Sequence, residues 1–212
     1  MRVGCCGSSL DSFNPQSLST FNSNRQLNWI TIEALAAAGN LAYTVLMLYE
    51  RRVGWLFGIV ASAMGIALFL HQLVYAQAAL CGYYLVMGAY GWWSWKGDGA
   101  KQIPITRRDA RFHAGMILAG GASALVLSWA LSLLPDARFI GLDGFATSFS
   151  LLATWMQARK ILENWAYWIA ADLVAIALYA LLGMWWYAAL YAIYVAISAS
   201  ALVRWAKQVK VD

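Results

Sequence analysis

The sequence predicts an all-α integral membrane protein in which seven transmembrane helices form two parallel three-helix repeats joined by a linker helix, a 3+1+3 plan. Three observations carry this expectation. The chain is 62% hydrophobic and only 12% charged over 212 residues, whereas soluble domains run roughly 45 to 50% apolar and about 25% charged. Seven apolar stretches approach the ~20 residues that a helix needs to cross the hydrocarbon core, where unsatisfied peptide groups cannot survive. The chain also matches itself when displaced by 110 residues.

Taken in order, residues 1–28 read as a polar tail rich in Ser, Asn and Gln, with a short interfacial helix around Leu18 to Phe21 and no signal-peptide core. The first repeat, 29–96, holds spans near 29–49, 54–71 and 74–95. A loop and the linker span near 112–134 fill 97–138. The second repeat, 139–205, holds spans near 142–160, 164–182 and 184–204, and 206–212 form a tail. His71-Gln72 and Gly183-Met184 are the only breaks after spans two and six, so very tight turns are expected there. Cys5 and Cys6 are adjacent, which disfavours a bond between them, and Cys81 inside a span reads as a small apolar residue. No disulfide framework, metal site or cofactor is expected, and His71 and His113 make no cluster.

The displacement aligns 30–97 with 140–207 without a gap. Trp55 meets Trp165, Tyr84 meets Tyr194, Trp95 meets Trp205 and Thr44 meets Thr154, while "IAL" and "AAL" recur at 66/176 and 78/188. One linker span makes both units enter the membrane in the same direction, related by an axis along the membrane normal. Transporters are built this way, with the substrate between the halves near the midplane. Arg2, Arg25 and Arg138 lie on the side of the N-terminal tail, and the other twelve Lys and Arg lie opposite. Positive charge collects in the cytoplasm, so the N-terminus is expected outside and the C-terminus inside. The net charge of +5 is thus topological rather than a sign of nucleic-acid binding.

The stretch "QARKILENWAYWIAAD", residues 157–172, places polar groups between apolar spans. Arg159 and Lys160 read as a solvated turn. At 100° per residue, Asn164, Trp168, Asp172 and Tyr179 fall within about 80° of one another on span six. An ionised carboxylate at the depth of Asp172 costs on the order of 2.5 to 3.5 kcal/mol, so it must face a polar interior. Gln157 and Asn40 are further intramembrane amides. Trp92, Trp95, Trp186 and Trp205, near span ends, read as interfacial belt residues. Trp165, Trp168 and Trp185 are candidate walls for a flat ring, which gains further if cationic. Sugar hydroxyls would find partners in Asn164, Asp172 and Gln157. No Arg or Lys lies deep in a span, which argues against a phosphorylated ligand. A retinal protein is excluded by the lack of Lys in 184–203, and a membrane enzyme by the lack of a nucleophile with a base. No catalytic residues are expected.

"RKILENWAYW", residues 159–168, with "YGWWSW", residues 90–95, resembles the PnuC family of vitamin transporters over about residues 29–205. The resemblance implies an architecture similar to a full-length SWEET sugar transporter. It implies uptake of nicotinamide riboside across the bacterial inner membrane by facilitated diffusion, with a cytoplasmic nucleoside kinase trapping the product for NAD biosynthesis. Asn164, Trp165, Trp168 and Asp172 match the family run, and Tyr191 in "LYAIY" matches its aromatic on span seven. Tyr90 and Trp93 from "YGWWSW" complete the candidate substrate-binding set. One departure is Cys81, where many members carry Gln after "AAL". The alternatives are a transporter of thiamine or riboflavin, and a membrane sensor that binds without transporting. Whether the chain forms a homo-oligomer is not legible in it.

Overall fold

The computed structural model describes residues 31–32, 35–71, 75–96, 103–133 and 138–209. The expected segment at Leu18 to Phe21, the turn at Gln72 and both Cys5 and Cys6 lie outside the described residues. The described residues form seven helices: α1 (Leu35–Leu48), α2 (Gly54–His71), α3 (Tyr75–Ser94), α4 (Ala110–Ser132), α5 (Ile140–Ala158), α6 (Asn164–Leu181) and α7 (Trp185–Ala206). They agree with the expected spans to within a few residues, apart from the first, which is described only from Leu35 onward as a continuous helix.

Four helices, α2, α4, α6 and α7, are long and apolar enough to cross a bilayer by their own composition. Helices α3 and α5 are similar in length but are diluted by Tyr83, Tyr84 and Tyr90 on one and by Asp143, Thr147, Ser148, Thr154 and Gln157 on the other. Packing supplies the reason. These two helices touch each other across the centre of the molecule, so their polar groups meet protein rather than lipid. Helix α4 is the reverse case. It packs on α5, buries only Gly120, and leaves Leu118, Leu125, Val126 and Trp129 more than half exposed. A Cβ on Gly144 would run into the Ser128 hydroxyl, so the α4–α5 crossing depends on a missing side chain.

The turns ending α1 and α5 are the same turn. Glu50 N–H donates to Met47 O at 3.0 Å and Arg51 N–H to Leu46 O at 2.9 Å. Displaced by 110 residues, Lys160 N–H donates to Gln157 O at 3.0 Å and Ile161 N–H to Met156 O at 3.0 Å. Both are Schellman motifs, with Glu50 at φ 53° and Lys160 at φ 51° in the left-handed region. The starts of α2 and α6 match too: Gly54 N–H reaches Arg51 O at 2.8 Å, and Asn164 N–H reaches Ile161 O at 3.1 Å. The tight turn after α6 has the same form, but its left-handed residue is Gly183 at φ 73°.

Two expectations are corrected at the end of the bundle that holds these α1–α2 and α5–α6 turns. Trp95 and Trp205 are not interfacial belt residues: they are 4% and 0% exposed. Trp55–Trp95 and Trp165–Trp205 are edge-to-face pairs with centroids 5.5 and 5.4 Å apart, and Trp95–Trp205, at 6.2 Å, joins them. Trp95 and Trp205 face each other across the two halves here, so each indole buries its apolar area against protein. Trp186, by contrast, is 89% exposed. Lys160 is not in a solvated turn either. It is 3% exposed, its ammonium lies 3.0 Å from a Glu50 carboxylate oxygen and 4.6 Å above the Trp95 ring, as a buried cation requires. Arg159 does remain exposed, over Trp155. His113 meets the start of α6, hydrogen-bonding with the Tyr167 hydroxyl at 3.2 Å and lying 3.7 Å from Glu163.

The segment before α4 is stitched to the same end. Thr106 bridges Ile161 in parallel, with Thr106 N–H to Lys160 O at 3.0 Å and Leu162 N–H to Thr106 O at 2.9 Å. Ile105 is buried in the tryptophan cluster, and Asp109 caps α4 by accepting from Phe112 N–H at 3.0 Å.

Candidate substrate site

Gln157 lies on the last turn of α5 and is 1% exposed. Its amide oxygen accepts from the Tyr43 hydroxyl on α1 at 3.2 Å and from the Trp168 indole N–H on α6 at 3.0 Å. One side chain thus ties both halves together close to the α5–α6 turn. Asp172 follows Trp168 by one helical turn and is 4% exposed. It interacts electrostatically with the hydroxyls of Tyr84 on α3 and Tyr191 and Tyr194 on α7. Tyr84 is hydrogen-bonded to Ser150, and Tyr83 donates to Leu151 O at 2.8 Å. Tyr191 bonds to Tyr179, and their rings stack with centroids 5.3 Å apart.

The result is a buried carboxylate and an amide surrounded by neutral phenols and an indole. Such a set offers acceptors to hydroxyl groups and flat faces to a ring. Among the described residues, the buried Ser148 hydroxyl and the buried Asn164 amide oxygen find no hydrogen-bond partner. Among the described residues, the buried cation is Lys160, and it is engaged by Glu50. No three His, Cys, Asp or Glu side chains among the described residues gather to hold a metal ion. An open groove of about 570 Å³ runs along α7 past Ser200, Arg204 and Lys207, on the outside of the bundle and away from this cluster.

The structure brings Gln157, Trp168, Asp172, Tyr179 and Tyr191 of the expected set into one interior. Asn164 is fully buried, but its amide N–H donates to Ile161 O at 2.6 Å, at the turn that starts α6. Trp165 lies in the tryptophan cluster against Trp205, and Tyr90 packs on the same cluster. Asn40 is exposed, as are Trp93 at 65% and Trp185 at 69%; these three are not brought to the cluster. Tyr43, Tyr83, Ser150 and the pair Tyr84 and Tyr194 are additions. The last two are repeat partners, and that coincidence was the available signal.

A sequence model described as "Nicotinamide mononucleotide transporter" matches residues 30–207. The chain belongs to the nicotinamide mononucleotide transporter family. Among relatives of this transporter family are the nicotinamide riboside transporters PnuC of Escherichia coli (strain K12) and Shigella flexneri. Each is 23% identical over 188 residues, which cover 75% of this chain and 77% of theirs. The crystal structure of the vitamin B3 transporter PnuC superposes with a TM-score of 0.67 at 19% identity, over 91% of this chain and 89% of that one. The fold is therefore that of a seven-helix membrane transporter.

Proposed function

We propose that this protein takes up nicotinamide riboside across a bacterial inner membrane by facilitated diffusion. The observation that carries this reading is the interior of Gln157, Trp168, Asp172 and their surrounding tyrosines, which offers acceptors for a ribose and flat walls for a pyridinium ring. The family description names the mononucleotide and the relatives' names the riboside. The riboside is favoured because no Arg or Lys among the described residues joins that interior to meet a phosphate.

On this reading the two units, 29–96 and 139–205, rock about a central site, with 97–138 as connection. Asp172 serves as a substrate acceptor and not as a proton carrier, so movement is uncoupled. A cytoplasmic kinase that phosphorylates the riboside makes net uptake directional, because the product no longer fits the site. The excess of basic residues on one side supports an N-terminus outside and a C-terminus in the cytoplasm. The protein itself performs no chemistry on the substrate.

Calorimetric titration of the purified protein with nicotinamide riboside, its mononucleotide and thiamine tests the proposal. Binding of the riboside alone is expected. Preference for the mononucleotide would overturn the phosphate argument, and preference for thiamine would retain the fold and replace the substrate.

A further inference from the structure

We propose that Glu50 and Lys160 are the gate at the end of the bundle that holds the α1–α2 and α5–α6 turns, and that this pair must part for solute to leave there. The inference rests on the transport reading only for its direction, which makes this end the cytoplasmic one.

The two residues are repeat partners, 110 positions apart, and they carry opposite charges. Each is the left-handed residue of the same Schellman turn, at φ 53° and 51°. That position favours glycine, because any Cβ crowds the backbone there. Gly183 occupies it in the turn after α6, at φ 73°. Glycine would suit the backbone equally at 50 and 160 but would bring no charge. The two turns instead hold a carboxylate and an ammonium that meet at 3.0 Å from opposite halves.

Their placement is that of a closure. Lys160 follows Gln157 by three residues and sits in the turn just past the end of α5 at Ala158. The ammonium rests on Trp95, and Trp95 meets its own repeat partner Trp205 between the halves. Separation of the halves at this end therefore breaks the ion pair and that aromatic contact together. The backbone of Lys160 is held by Thr106 from the segment that leads into α4, which fixes its aim.

Pseudo-symmetry gives a specific expectation. If the charges are exchanged, a lysine at 50 should find Glu at 160 and rest on Trp205, as Lys160 now rests on Trp95. Spin labels at K96C and K207C, in the full-length chain with Cys5, Cys6 and Cys81 replaced, report the distance between the halves at this end from two exposed sites. In lipid nanodiscs the labelled parent should show one dominant distance. E50G and K160G relax the turn yet remove the charge, and should each add a longer-distance population several-fold larger than in the parent. The swap E50K/K160E should return the single distance. E50Q and K160Q provide the same reading if the glycine variants fail to accumulate.

A parent-like distribution in the single variants would overturn the proposal, as would a swap that stays as broad as they are or does not fold. The distances need no substrate. Broadening and rescue without any riboside flux through the native protein would sustain the gate while retiring the substrate assignment.

Discussion

Gln157 gives one amide oxygen to two donors on different helices, so it does more than its size suggests. Gln157→Leu strands the Tyr43 hydroxyl and the Trp168 indole N–H, and each stranded buried donor costs about 1–3 kcal/mol. The expected outcome is a lower Tm together with at least tenfold weaker riboside binding, whereas Gln157→Glu keeps an acceptor and should lose less of both. Asp172→Asn removes charge but keeps shape. Hydrogen bonds to charged groups contribute about 1.5–3 kcal/mol, so binding should weaken roughly 10- to 100-fold with the pH profile of flux unchanged. A flattened pH profile in that variant would instead mark Asp172 as a proton carrier. The carboxylate was legible from its depth in a span. Its partners were not, because Tyr84 and Tyr194 come from helices whose rotation only packing decides.

Helix pairs show the same division. The turns could be placed because Gly183 and the charged runs interrupt apolar stretches, but the letters at a span end are ambiguous. Trp95, Trp205 and Trp186 look alike in sequence, and Lys160 looks like Arg159; the difference lies in which neighbours close over them. Glycine 91 offers a test at this scale. A Cβ there would fall into the Trp55 ring, while its repeat counterpart is Ala201, fully buried and already carrying that methyl. Gly91→Ala should therefore destabilise by about 1–3 kcal/mol through overpacking. Ala201→Gly gives up helix propensity and one buried methyl, about 1–2 kcal/mol, with no clash. Thermal unfolding in detergent measures both, and an unchanged Tm in Gly91→Ala would contradict the overpacking.

For the whole molecule, topology is the open property with the plainest readout. If the basic side is cytoplasmic, an impermeant maleimide added to intact cells should label Cys5 or Cys6 and should miss a cysteine placed at Lys207 until the cells are opened. The reverse pattern would invert the orientation and, with it, the side on which the gate opens. The uneven composition of the helices bears on how the chain enters the bilayer at all. Helices α3 and α5 are the poor candidates for spontaneous partitioning, and each is bracketed by strongly apolar neighbours, α2 and α4 for one, α4 and α6 for the other. Helix α4 packs on α5, and α2 packs on α3, so each of the two less apolar helices has a strongly apolar helix against it.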